Sequence, residues 1–303
     1  TVLFPPGFKE TINVSLMGLA ISDLMSLVTS LWTAICWTPA MYYAELPFVP
    51  QDVDYMTGSL PHLLFTRVTG WITAFVACER CLCVTVPLKV KAIITPRLVK
   101  RFVVLAFVAV TVAQSPSFYT SSLEWVLDEG RNRTVLARVV RAMSEETDAV
   151  TYSVNLVSPF ASFALVLAST VVTAVQLKQK SQWRMKSASA GGVVMPASGS
   201  GVKAALPAPS KDQKVVKMVV VLSVVFIVSF LPTNVIHIFY CTIVDSPHLL
   251  AVYIVYISVT FSFIKVLECF NASISIVLYY LMSSKYRSSF VKLFRSVSGD
   301  KRT

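Results

Sequence analysis

The sequence predicts an all-α membrane protein built as a bundle of long apolar helices. Three observations lead there. Of 303 residues, 55% are apolar and 14% charged, with a mean hydropathy of +0.66; soluble domains run near ~45–50% apolar and ~25% charged. The apolar residues gather into six stretches, each long enough to cross ~30 Å of hydrocarbon at ~1.5 Å per residue. Lys and Arg are sorted to one side of those stretches. This pattern excludes an ordinary soluble enzyme, a disordered regulator and a coiled coil. The net charge of +11 is no sign of nucleic acid, because the basic residues interleave with apolar runs. Six cysteines are too few for a disulfide scaffold.

Span A covers about 13–43, span B about 56–86, span C about 98–119, span D about 149–177, span E about 215–244 and span F about 248–282. Strands of a membrane barrel need alternating segments of ~10 residues, and these runs are too long and uniform for that. The B–C segment carries Lys89, Lys91, Arg97, Lys100 and Arg101, and the D–E segment and the tail are also strongly basic. The A–B loop has Glu45, Asp52 and Asp54 and no base, and the C–D loop sets four Arg against six acids. The basic side is therefore cytoplasmic and the chain is expected as a multi-pass protein of the plasma membrane.

The D–E loop, 178–211, is rich in Ser, Ala, Gly, Pro and Lys and is expected to be flexible. Residues 285–295 place Tyr286, Phe290, Leu293 and Phe294 on one face, with basic residues between them. That is a basic amphipathic helix suited to the anionic inner leaflet, so membrane lipids are expected partners. Asn132-Arg133-Thr134 is a glycosylation sequon on the outer face.

No HExxH, phosphate loop, GxSxG or paired CxxC occurs, so no enzyme activity is expected. Cys78, Cys81 and Cys83 cluster without a nearby His; free Cys commonly packs as a small hydrophobe, and no metal site is expected. Charges inside spans are expensive. They are Asp23 in A, Arg67 in B, and Lys265 and Glu268 in F, with Glu79 and Arg80 near the cytoplasmic end of B. Arg67 reads equally as structural or functional, and Asp23, near mid-membrane, as functional. Span F aligns Lys265, Glu268, Asn271, Ser275 and Tyr279 on one face; span B aligns His62, Thr66, Thr69 and Thr73. Polar stripes on apolar helices face the bundle interior. Interhelical hydrogen bonding and a water-filled polar channel both fit them.

With these residues in view, the sequence resembles the rhodopsin-like G-protein-coupled receptors. Asn13–Leu24 resembles their second helix with its mid-membrane Asp, here Asp23. Cys78-Glu79-Arg80-Cys81 resembles the E/D-R-Y motif, Ser229-Phe230-Leu231-Pro232 the CWxP motif, and Asn271–Tyr279 the NSxxNPxxY motif. Cys81, Phe230, Ser275 and Ile276 depart from those patterns. The texture of the chain is most similar to divergent gastropod receptors of chemosensory or peptide type. The resemblance implies a seven-transmembrane bundle of which spans A to F are the second to seventh helices, so the first is expected to be missing and the chain a fragment. It also implies no outer disulfide, since Tyr55 stands at the usual Cys position.

The implied function is binding of an extracellular ligand and activation of a heterotrimeric G protein, with arrestin as a further cytoplasmic partner. The ligand would meet His62, Thr66, Lys265 and Glu268. Lys265 and Glu268 could equally pair with each other. Asp23, Thr69, Asn271 and Ser275 resemble a sodium pocket. Glu79, Arg80, Asp212, Phe230, Pro232 and Tyr279 would form the coupling switch, with Asp212 either pairing with Arg80 or capping its helix. Retinal is not expected, because Cys269 stands where an opsin carries its lysine. A transporter or channel, and a non-signalling pseudo-receptor, are the other readings of the same residues.

Overall fold

A computed structural model describes residues 11–128, 132–141, 145–190, 211–243 and 247–282. The described residues contain six long helices: α1 (Thr11–Cys36), α4 (Leu60–Thr85), α6 (Pro96–Tyr119), α7 (Glu145–Ala190), α8 (Lys211–Ile243) and α9 (Pro247–Met282). The segments Val14–Cys36, Pro50–Thr85, Pro96–Tyr119, Leu156–Lys180 and Val219–Phe239 are long and apolar enough to cross a membrane. Central α4 packs against α1, α6, α7 and α8. The core behind it joins Leu19, Val68, Ile72, Val76, Val110, Val219 and Leu222. Leu31, Val104, Leu105 and Val228 are exposed on the outside, where lipid would cover them.

Several boundaries differ from those expected, each for a local reason. Helix α1 stops at Cys36 instead of reaching 43, because Pro39 opens a separate short helix, α2 (Pro39–Tyr43). Proline lacks the N–H a continuing helix needs, and Thr38 caps the new start by accepting from the Met41 amide. Helix α7 continues to Ala190, so 178–190 extends the helix. Gln, Lys, Met and Arg favour helix there, and the breakers Gly191, Gly192 and Pro196 come only afterwards. The expected amphipathic helix at 285–295 lies outside the described residues.

The outer face holds two features that no span pattern announces. The first is a π-helical turn, Tyr55–Ser59, joining α3 (Pro50–Asp54) to α4. It folds around Asp54, whose Oδ2 accepts from Trp37 Nε1 (3.1 Å) and Ser59 Oγ (2.9 Å). Gly58 makes the turn feasible: a Cβ there would clash with Asp54 Oδ1 and stand 2.9 Å from Thr33 Oγ1. Gly58→Ala is expected to destabilise the bundle by ~1–3 kcal/mol through overpacking, measured as a lowered Tm in detergent. An unchanged Tm would show that the turn has room to relax.

The second is a β-hairpin, β1 (Ser121–Asp128) with β2 (Arg133–Val140), paired antiparallel from Ser121–Val140 to Asp128–Arg133. Exposed Asn132 sits at its tip with φ 46°, a left-handed conformation Asn tolerates. The hairpin is tied down without a disulfide. Asp52 Oδ2 accepts from the Arg138 amide at 3.1 Å, Phe48 bridges to Leu136, and the Arg138 guanidinium lies 4.0 Å over the Tyr55 ring. None of the described cysteines, Cys36, Cys78, Cys81, Cys83 and Cys269, forms a disulfide. Helix α5 (Pro87–Ile93) links α4 to α6 on the opposite side.

Candidate functional site

Polar residues on apolar helices turn inward, and here they meet in three levels. At the upper level His62 of α4 reaches across to α9, with Nε2 3.0 Å from Glu268 Oε2. Both ring nitrogens face an acceptor, Nε2 the Glu268 carboxylate and Nδ1 the Ser26 carbonyl at 3.2 Å. On the other side of the ring Nδ1 lies 3.1 Å from Ser26 Oγ and 3.0 Å from Ser30 Oγ, both on α1. Thr66 Oγ1 is 3.4 Å from Ser26 Oγ. One imidazole therefore links α1, α4 and α9. The pair is nearly sealed: the His62 and Glu268 side chains are 5% and 11% exposed.

Glu268 thus takes His62 as its close partner, not Lys265. Half-buried Lys265 interacts electrostatically with both Glu268 and Asp54, and buried Arg67 interacts with Glu268 from within the bundle. A narrow cavity beside the pair is lined by Thr66, Arg67, Phe230, Asn234, His237 and Glu268, among others. His62 and Lys265 do not line it. His237 and Asn234 were missed in the sequence, although they follow Phe230 at helical spacing on its face. Ser26 and Ser30 were missed as well. Their signal was a polar stripe on α1 that includes Ser22, Ser26, Ser30 and Thr33.

The middle level centres on Asp23, 1% exposed. Thr69 donates to its Oδ1 at 2.8 Å, and Thr69 Oγ1 is 2.9 Å from Ser22 Oγ. Ser275 faces the same carboxyl group and donates to the Asn271 carbonyl at 3.0 Å. Asp23 Oδ2 is buried without a hydrogen-bond partner. In the lining of the same cavity, Phe230 stacks on Phe226 at 4.4 Å between ring centroids, and Pro232 lies inside α8 two residues further on. Asn234 Nδ2 donates to the Phe230 carbonyl at 2.8 Å, occupying an acceptor near the proline.

At the cytoplasmic level Arg80 pairs with neighbouring Glu79 on α4. Asp212 belongs to the first turn of α8 and Tyr279 to the last turns of α9. Their side chains lie outside the described residues. Among the described residues no group of His, Cys, Asp and Glu is arranged to hold a metal ion.

A bundle with a buried inward carboxylate, a proline within the helix that carries the stacked phenylalanines and an Arg at the far end of α4 has the layout of a seven-helix receptor. The family model described as "Serpentine type 7TM GPCR chemoreceptor Srw" matches residues 8–297, and the chain belongs to that family. It is also similar to the "Galanin-like G-protein coupled receptor npr-9" of Caenorhabditis elegans, 24% identical over 304 residues, covering 97% of this chain and 68% of that protein. The chain is thus a multi-pass membrane receptor of the G-protein-coupled class and not an enzyme, and the transporter and channel reading is set aside.

Proposed function

We propose that the activating ligand is a peptide and that it acts by disturbing the His62–Glu268 pair. The observation that carries this is a buried carboxylate bridged to α4 by one histidine while two cations, Arg67 and Lys265, lie within its field. The name of the nematode relative, galanin-like, supports a peptide. A ligand shifts a two-state receptor only by its differential affinity for the two states. A group that engages Lys265 or Glu268 gains most where the pair has opened. Opening releases α9 from α4, and the Phe226–Phe230 stack lies beside the same cavity. Pro232, which removes a backbone donor within α8, then lets the inner end of that helix swing outward and frees Arg80 from Glu79 to meet the G protein. Asp212 would hold that end closed in the resting state.

Asp23, Thr69, Asn271 and Ser275 would hold a sodium ion, which favours the resting state. The unpartnered Asp23 Oδ2 fits this role, since a buried carboxylate oxygen is costly without a cation or a proton. Asn132, exposed at the hairpin tip, would carry a glycan. Residence in the plasma membrane, binding of arrestin to the inner face and lipid contact by 285–295 belong to the same reading.

Lys265→Met removes one cation without touching the His62–Glu268 contact. Peptide potency is expected to fall about tenfold, equivalent to ~1.4 kcal/mol, at unchanged surface expression. Dose–response curves against cell-surface labelling check this. Equal potency in the variant would remove Lys265 from the ligand site.

A further inference from the structure

A second cavity lies outside the polar interior. It is a cleft of about 320 Å³ between α4, α6 and α7, lined by Arg67, Trp71, Phe102, Ala106, Ala109 and Ser158, among others. That volume falls in the range of small-molecule pockets, ~300–1,000 Å³. The room comes from the sequence of α6. Ala106, Ala109 and Ala113 recur at spacings of three and four, where larger residues would fill the gap. Exposed Leu105 and Ala109 form its outer lip, so the cleft opens toward lipid.

The cleft is apolar except at one end. There Trp71 Nε1 donates to Ser158 Oγ at 3.0 Å, and the Arg67 side chain forms the wall shared with the inner cavity. None of the described residues lining the cleft is acidic. Gln114 adds a second polar demand nearby. It lies one turn from the cleft residue Val110 on the same face of α6, is 1% exposed, and has neither amide atom hydrogen-bonded. A cation at membrane depth is costly and favours an anionic partner.

We propose that this cleft binds a single-chain lipid acid from the bilayer, its carboxylate toward Arg67 and its alkyl chain along Phe102 and the alanines of α6. Charge complementarity selects the acid, and the apolar, one-ended lining selects one chain. Arg67 also interacts with Glu268, so an occupant would bias the inner site through a shared side chain.

The test uses the full chain in nanodiscs with palmitic acid carrying a terminal diazirine. Photolabelling is expected to concentrate on peptides covering 102–113, to be competed by palmitate, and not to be competed by hexadecanol. Ala109→Trp, which fills the cleft from its exposed lip, and Arg67→Met should each lower labelling at least about fivefold. Should Arg67→Met fail to fold, Ala109→Trp and the hexadecanol comparison decide alone. Equal competition by hexadecanol, or labelling spread evenly over the lipid-facing surfaces of α1, α6 and α8, would overturn the proposal. So would an Ala109→Trp variant that loses only cross-linking between receptor copies, which would assign the cleft to a subunit contact.

Discussion

Glu268→Ala is expected to cause the largest loss of any single substitution in the bundle. It leaves the His62 imidazole buried without its carboxylate and removes the anion from the field of Arg67 and Lys265. Breaking one side of a buried pair costs ~3–5 kcal/mol, a large fraction of ordinary domain stability. The folded yield in detergent and the Tm should both drop sharply. Glu268→Gln keeps an oxygen to accept from Nε2 and is expected to restore most of the folding. It should still weaken the agonist response about tenfold or more, because the charge that the ligand competes for is gone. Wild-type Tm and potency in Glu268→Ala would mean that the pair neither holds α9 nor senses ligand.

Asp23→Asn is expected to produce the second large effect, on ion dependence rather than on folding. Asn keeps an oxygen for the Thr69 hydroxyl at 2.8 Å but replaces the unpartnered Oδ2 with an amide. In the wild type, raising sodium at constant ionic strength should lower agonist affinity, and in Asp23→Asn the affinity should be flat. Radioligand displacement at matched ionic strength measures this. The same sodium response in both proteins would remove Asp23 from an ion site.

The long helices were legible because crossing a bilayer imposes a length and composition that local sequence carries by itself. Inward faces were legible for a related reason. Lys265, Glu268, Asn271 and Ser275 share a stripe because polar groups on such helices avoid lipid, and buried Asn271 and Ser275 bear this out. The partner of Glu268 was not legible. A stripe reports a direction, whereas pairing with a histidine 206 positions away depends on how α1, α4 and α9 are set beside one another. Lys265, one turn away, was the partner suggested by spacing alone.

The outer face was the least legible region. The hairpin strands SSLEWVLD and RTVLARVV are short and surrounded by charged residues, so their β-branched content was lost inside a loop reading. The π-helical turn depends on Asp54 meeting Trp37 from another element, a contact with no periodic signature. The helical stretch 178–190 was concealed by averaging it with the Gly- and Pro-rich residues that follow.

The most direct test is guanine-nucleotide exchange on a heterotrimeric G protein by the purified chain in nanodiscs, with galanin-like peptides as probes, comparing wild type with Glu268→Gln. Wild type is expected to accelerate exchange in a peptide-dependent manner, and Glu268→Gln to need about tenfold more peptide for the same rate, ~1.4 kcal/mol. Wild-type exchange no faster than with empty nanodiscs, or identical dose–response curves for the two proteins, would contradict a peptide receptor that works through the His62–Glu268 pair.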